Sequence, residues 1–333
     1  MPIAVRKKLF STKILYSNLQ LFSNSTLNSL NDLRIKSPLR FYSTKIVSLD
    51  PWFITGFTDA EGSFNVSISK TNSQLGWRVQ CRYIIELHIK DLHLIEQIKS
   101  YFNSIGSIHI NKHRNTVTYS VVGLKDIFNV ILPHFDKYSL QSSKNIDFIY
   151  WRKCVMIMYN NLHIEKSGFF EILSYKSIIN KGLSQKYRDI FKDVKVLERP
   201  LFVPNDIKLS GNWISGFTSG DGSFYALLKN NSMELAYSFH LDLKDAIILH
   251  KITEYFGFGN VSLTKNSVHL KVRNVKNLLK IISHFDVYPL HGFKLFNYLI
   301  WKDLFSHLIN KDYLDDTKLI AIKELISRLN KWD

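Results

Sequence analysis

Two stretches decide how this chain is read: "WFITGFTDAEGSF", residues 52–64, and "NWISGFTSGDGSF", residues 212–224. Each runs from an aromatic residue through a small residue and Gly-Phe-Thr to two variable positions, an acid and Gly-Ser-Phe. The acids, Glu61 and Asp221, lie 160 residues apart. Further on, "HFDKYSLQSSKNIDFIYW" (134–151) matches "HFDVYPLHGFKLFNYLIW" (284–301) at an offset of 150. A period of this length indicates two duplicated domains rather than a solenoid. Residues 46–179 and 212–333 are therefore expected to be two repeats. Residues 180–211, with "KGLSQ", "ERP" and "VPND", read as their connection.

The pattern within each copy predicts its elements. Pro51 precedes the apolar stretch 52–60, a short helix that Gly62 would end. "FNVSISK" alternates apolar and polar residues, as a half-buried strand does. "WRVQCRYIIELHIKD" continues the alternation, with Val79, Cys81, Tyr83, Ile85, Leu87 and Ile89 on one face. "LHLIEQIKSYF" has helical spacing, "SIHI" and "TVTYSVV" read as strands, and "LKDIFNVILPHF" as a helix. Copy two repeats the order from "SFYALLKNN" to "LLKIISHF". The expected fold is thus α+β: two pseudo-symmetric αββαββα repeats, each an antiparallel sheet with helices on its apolar face. Side by side, the two polar faces would form a saddle.

Composition narrows the partner. The chain carries 44 Lys/Arg against 28 Asp/Glu, a net charge of +16. Residues 1–49 hold eight of the basic residues and one acid, Asp32, which leaves +9 for the rest. Such an excess suits a polyanion, because neutralised phosphates release counterions. Residues 1–45, basic and Ser/Asn-rich, read as a disordered or targeting leader of mitochondrial type. No apolar run is long enough to suggest a membrane span, and the two cysteines, Cys81 and Cys154, are too far apart in sequence to form a CxxC pair.

The repeated motif has a physical logic. Small residues fall at helical i, i+4 spacing, Gly56 with Ala60 and Gly216 with Gly220, so two motif helices could approach backbone to backbone. Their packing would bring Glu61 and Asp221 together at two helix C-termini. The helix dipole and mutual repulsion both disfavour acids there. A divalent cation between them offsets both costs, and all-oxygen ligands with room for water and phosphate point to Mg²⁺.

With these residues in place the chain resembles the LAGLIDADG homing endonucleases, in their single-chain, two-motif form and most closely the fungal mitochondrial members. "ITGFTDAEG" (54–62) and "ISGFTSGDG" (214–222) occupy the place of the nine-residue signature. The resemblance implies that Glu61 and Asp221 bind metal, together with the backbone carbonyls of Ala60 and Gly220. It also implies that Lys144 and Lys294 are basic residues of the active site. The sixth signature position is Asp59 in one copy and Ser219 in the other, a change the family tolerates. The implied activity is metal-dependent hydrolysis of both strands of a long, asymmetric duplex DNA target by a monomer, promoting intron homing. The alternative is a maturase that binds intron RNA and assists splicing.

Recognition would fall to the polar sheet faces, which can enter the major groove. The candidates are Asn65, Ser67, Arg78, Gln80 and Arg82 in the first repeat. In the second they are Tyr225, Lys229, Ser238, His240, His269, Lys271 and Arg273.

Overall fold

The structure, a computed structural model, describes residues 48–203, 209–230 and 232–329. The expected leader, 1–45, lies outside the described residues.

The first repeat opens with α1 (Pro51–Glu61), whose start is fixed by Asp50: its carboxylate accepts the Trp52 N–H at 2.8 Å, and Pro51 fills the position where an N–H would go unused. The chain passes without a loop into β1 (Gly62–Lys70) and turns back into β2 (Trp77–His88). There follow α2 (Leu92–Tyr101), β3 (Ser107–Asn111) and β4 (Thr116–Val121). Helical turns from Leu124, including a π turn at Ile127–Ile131, lead into α3 (Leu132–Lys137). Two further helices, α4 (Lys144–Tyr159) and α5 (Lys166–Lys176), extend the repeat beyond the expected αββαββα core. The stretch read as a connection contains one more helix, α6 (Gln185–Ile190), and is tied back to α4. There, Arg199 donates to the Ser143 carbonyl (3.0 Å), the Ile178 carbonyl (2.7 Å) and Asp147 (2.5 Å).

The second repeat follows the same path. It runs α7 (Gly211–Asp221), β5 (Gly222–Lys229), β6 (Ser232–Asp242), α8 (Ala246–Phe256), β7 (Asn260–Leu263), β8 (Ser267–Val272) and α9 (Val275–Val287). Then come α10 (Phe293–Ile309) and α11 (Asp316–Arg328). Both sheets are antiparallel and four-stranded, in the orders β1-β2-β4-β3 and β5-β6-β8-β7. The α+β pseudo-symmetric architecture is the one the repeat pattern predicts.

The duplication reaches individual contacts. Phe64 and Phe224, the last residues of the two motifs, are fully buried against Trp151 and Trp301, ring centres 5.0 and 5.2 Å away. Each tryptophan donates its indole N–H to the strand beside it, to the Asn65 and Tyr225 carbonyls at 3.1 Å. Thr58 and Thr218 likewise meet the hydroxyls of Tyr83 and Tyr237 at 2.7 and 2.8 Å. Burying side chains of this size contributes about 1.5–3 kcal/mol each, so the sheets are held firmly against α4 and α10, while the Thr–Tyr bonds tie them to the motif helices. Among the described residues no helix is long and apolar enough to cross a membrane.

Candidate active site

Helices α1 and α7 cross at their glycines. A Cβ on Gly56 would lie 2.0 Å from the Trp213 carbonyl oxygen, and one on Gly216 would lie 2.1 Å from that of Phe53. The two backbones therefore touch, and no other residue fits at either point. Side chains beside the crossing reach into the opposite repeat. Phe53 meets the His291 ring edge-on at 4.6 Å, and Trp213 donates its indole N–H to Asp59 at 2.9 Å.

Asp59 shows what the sixth signature position does here. It is buried and takes four hydrogen bonds: from Trp213, from the Gln141 and Ser142 N–H groups (2.9 and 3.1 Å), and from the Ser142 hydroxyl (2.5 Å). It thereby fixes the segment that leads into Lys144. Burial raises its pKa, while these bonds pull the other way. Ser219 does the same work on a smaller scale, accepting the His291 N–H at 3.3 Å.

Glycine ends the two helices for a reason other than the one the sequence suggests. Gly62 and Gly222 are extended, with φ −76° and −70°, rather than left-handed. A Cβ at either would lie 2.5 Å from the Cγ2 of Thr58 or Thr218. Their lack of a side chain lets helix run straight into strand, which leaves Glu61 and Asp221 as the last residues of α1 and α7.

The two acids share one site. Gly220 packs against Glu61 so closely that a Cβ there would lie 3.3 Å from the Glu61 Oε1. Burial, and then the nearby Asp221 carboxylate, hold the Glu61 carboxyl above its usual range against the pull of Lys144 and Lys294. Asp221 keeps an exposed surface, yet burial on its inner side also raises its carboxyl, with both lysines opposing. A cavity of about 340 Å³ opens here, lined by residues that include Glu61, Asp91, Gly220, Lys294 and Asn297.

Lys144 and Lys294 both reach the site, where their ammonium groups cap helix ends. Lys144 Nζ donates to the carbonyls of Thr58 (2.9 Å), Ala60 (3.3 Å) and Gly62 (2.6 Å). Lys294 Nζ donates to the Gly222 carbonyl at 2.5 Å. Burial lowers both pKa values while the surrounding carboxylates push them up.

The donor set suits a hard divalent cation. Two carboxylates of raised pKa lie near enough for one to disfavour the charge of the other, and the Ala60 carbonyl keeps a second lone pair beyond its bond to Lys144. Among the described residues no cluster of three or more acids, histidines or cysteines could hold a metal on its own. The remaining ligands would have to be water or phosphate oxygens, the usual case for Mg²⁺.

Eleven of the twelve recognition candidates stand on the solvent faces of the sheets and Arg273 lies one residue past the end of β8, and the structure divides them further. Asn65 pairs with Arg82 across β1 and β2, and Ser67 with Gln80. Arg82 donates to the Gln80 Oε1 at 2.8 Å, so these two side chains are already joined, while Arg78 is exposed. In the second sheet the rings of His240 and His269 stack at 4.1 Å. The Lys271 ammonium lies 5.0 Å above the Tyr225 ring, Ser238 sits opposite Lys271, and Lys229 is exposed. Two acids absent from the sequence-based set also stand here. Glu86 holds Arg114 at 2.8 Å, and Glu234 holds Arg273 at 3.0 Å. They break an otherwise basic pattern, which is why a search for donors passes over them.

Asp91 and Asp245 were missed as well. Asp91 Oδ1 accepts the Phe293 N–H at 2.6 Å and Asp245 Oδ1 accepts the Ser143 N–H at 2.8 Å. The signal that could have found them is the recurrence of "IKDLHL" (89–94) as "LKDAII" (243–248).

Fold and site together define an internally duplicated α+β protein whose two halves build one acidic centre where their signature helices cross. The LAGLIDADG endonuclease profile matches residues 54–155 and 214–305, and the chain belongs to that family. Probable intron-encoded endonuclease 3 of Neurospora crassa is 31% identical over 321 residues, 93% of this chain and 60% of that protein. This chain thus spans three fifths of that relative's length. The crystal structure of the I-SmaMI LAGLIDADG homing endonuclease bound to cleaved DNA matches with a TM-score of 0.81 and 30% identity, covering 85% of this chain and 97% of that one. I-SmaMI bound to an uncleaved DNA target in the presence of calcium ions matches with a TM-score of 0.81 and 31% identity, over 85% and 99%.

Proposed function

We propose that this chain is a site-specific DNA endonuclease that cuts both strands of a long, asymmetric target with Mg²⁺ and serves intron homing in the mitochondrion. The observation that carries this reading is the pairing of Glu61 with Asp221 at the helix crossing, between two sheets that each present polar side chains to solvent. Family membership and the intron-encoded relatives support it. Residues 46–179 and 212–333 would be the working halves, with 180–211 joining them.

Glu61 and Asp221, with the Ala60 and Gly220 carbonyls, would hold the metal. Bound there, Mg²⁺ would supply Lewis acidity towards the scissile phosphate and its water. The protein's own part is positional. The closed crossing fixes the two carboxylates, and the raised pKa of each makes it ready to accept a cation in place of a proton. Lys144 and Lys294 stand beside the acids with their donors on helix carbonyls. There they hold the acid-bearing helix ends and add positive charge where the phosphate gains negative charge. Hydrolysis adds water across the P–O3′ bond, and the 3′ oxygen leaves with a proton.

Asn65, Ser67, Arg78, Gln80 and Arg82 would read one half of the target. Tyr225, Lys229, Ser238, His240, His269, Lys271 and Arg273 would read the other. The halves carry different side chains, so an asymmetric site follows.

The test is to incubate the full chain with Mg²⁺ and a large duplex pool that includes intron-insertion sequences, then sequence the cut ends. Discrete double-strand cuts by the wild type and none by Glu61→Gln are expected. Tight binding to intron RNA without cuts in any duplex would refute the nuclease in favour of a maturase.

A further inference from the structure

Asp91 and Asp245 occupy the N-cap positions of α2 and α8, where an aspartate ordinarily accepts an N–H from its own helix. Neither makes that bond. Their carboxylates reach across the molecule instead. Asp91, in the first repeat, takes the Phe293 N–H, and Asp245, in the second, takes that of Ser143. Phe293 is the first residue of α10, and Ser143 is the cap residue of α4. These two helices carry Lys294 and Lys144 one residue further on. Neither is capped by its own cap residue: Ser143 makes no capping bond, although the neighbouring Ser142 hydroxyl accepts the Lys144 N–H at 3.2 Å, and Gly292 has no side chain to make one.

We propose that Asp91 and Asp245 are reciprocal positioning residues, each capping in the opposite repeat the helix that presents an active-site lysine. An orphan N–H at a helix start needs an acceptor, and a negative charge there also meets the favourable end of the helix dipole. Supplying that acceptor from the other repeat ties the start of each lysine-bearing helix to the docking of the two repeats, on top of the bonds each lysine makes within its own repeat. The acid-bearing helices meet at the crossing, and the lysine-bearing helices are fixed by this second exchange.

The two caps carry unequal loads. Lys144 is also held by three carbonyls, and Arg199 bonds to the Ser143 carbonyl. Lys294 has the Gly222 carbonyl alone, and Asp91 lines the same cavity as Lys294 and Glu61. Gly292 fits its cap so tightly that a Cβ would lie 2.4 Å from Asp91 Oδ1, at a φ of +66° that already favours glycine. Loss of Asp91 should therefore cost more than loss of Asp245.

The inference rests on the nuclease reading, and its test separates the two. Full-length Asp91→Ala, Asp91→Asn, Asp245→Ala and Asp245→Asn are compared with wild type on a target labelled on each strand, in single turnover at saturating protein. Amide hydrogen exchange of segments 141–147 and 290–296 is followed in the same proteins. Asp91→Ala is expected to slow cutting of one strand at least tenfold, with Kd for the target within threefold of wild type. Asp245→Ala should slow the other strand by less. The Asn variants keep an acceptor oxygen and should stay within threefold of wild type. Exchange should quicken at 290–296 in Asp91→Ala and at 141–147 in Asp245→Ala. Equal slowing of both strands, unchanged exchange, or Asn variants as poor as Ala would overturn the proposal. If the Ala variants fail to fold, near-wild-type strand rates and exchange in the Asn variants are still required. If the wild type cuts no duplex, the nuclease reading fails by itself, and the exchange data alone decide the caps.

Discussion

Gly216→Ala puts the helix crossing to the test. On an exposed helix this change would stabilise by about 1 kcal/mol, because alanine is the better helix former. At Gly216 the new Cβ would sit 2.1 Å from the Phe53 carbonyl oxygen and 2.8 Å from the Phe57 nitrogen, where ordinary contact begins at 3.4 Å. The obstructing atoms are backbone, which cannot rotate aside as a side chain can. Helices α1 and α7 must then part by about 1.3 Å, and overpacking of this kind costs roughly 1–3 kcal/mol, occasionally more. Parting also loosens the buried contacts of Phe53, Phe57, Trp213 and Phe217. The expected net loss is about 2 kcal/mol, or roughly 3 °C in Tm for a protein of this size. Cleavage should suffer more than stability, because a misplacement near 1 Å at the acids can cost ~10²-fold in rate. Urea denaturation and single-turnover cutting measure the two effects. Gly56→Ala should behave alike, its Cβ lying 2.0 Å from the Trp213 oxygen. An alanine variant as stable and as active as wild type would refute the close crossing.

Glu61→Gln should abolish cutting yet stabilise the metal-free protein at neutral pH. Each unit by which folding raises the Glu61 pKa corresponds to about 1.4 kcal/mol. A raised carboxyl pKa adds stability below the unfolded value, and that stability is lost as pH rises through the folded value. The advantage of Glu61→Gln over wild type should therefore be absent at pH 4 and grow towards pH 7, as paired melts would record; a flat difference would contradict it. His134, His284 and His291 have the opposite sign, since burial lowers them to about 3, 4 and 4. Their contribution is present above the unfolded pKa near 6.5. Below it, stability should fall by up to ~1.4 kcal/mol per pH unit for each, measurable by urea titration between pH 7 and 4. Asp59→Ala leaves four donors unpaired and should cost about 3–5 kcal/mol by denaturation; a loss under 1 kcal/mol would show that water replaces the carboxylate.

What the sequence made legible was whatever repeats or alternates. The duplicated motif located Glu61 and Asp221, and the small residues at i, i+4 anticipated the crossing. Alternation placed Arg78, Gln80 and Lys271 on solvent faces. The helix pairs α4–α5 and α10–α11 went unanticipated, because helices apolar on several sides, such as "KNIDFIYWRKCVMIMY", carry little periodic signal. The partners of Asp91 and Asp245 were illegible for another reason. Their bonds span 202 and 102 residues, and nothing local tells an aspartate that caps its own helix from one that caps another. Gly62 misled in the same way: its extended backbone answers to the Thr58 side chain, a steric demand that composition does not reveal.

In the proposed nuclease, acids from the two repeats hold one metal-assisted centre. Crystals of the protein on its target duplex, grown with Mn²⁺ and measured at the manganese absorption edge, address it directly. Anomalous density is expected between the carboxylates of Glu61 and Asp221, against a phosphate of the duplex, and none there in Asp221→Asn. Density at Glu86 or Asp91 instead, or DNA seated on the saddle with no manganese at the crossing, would contradict it.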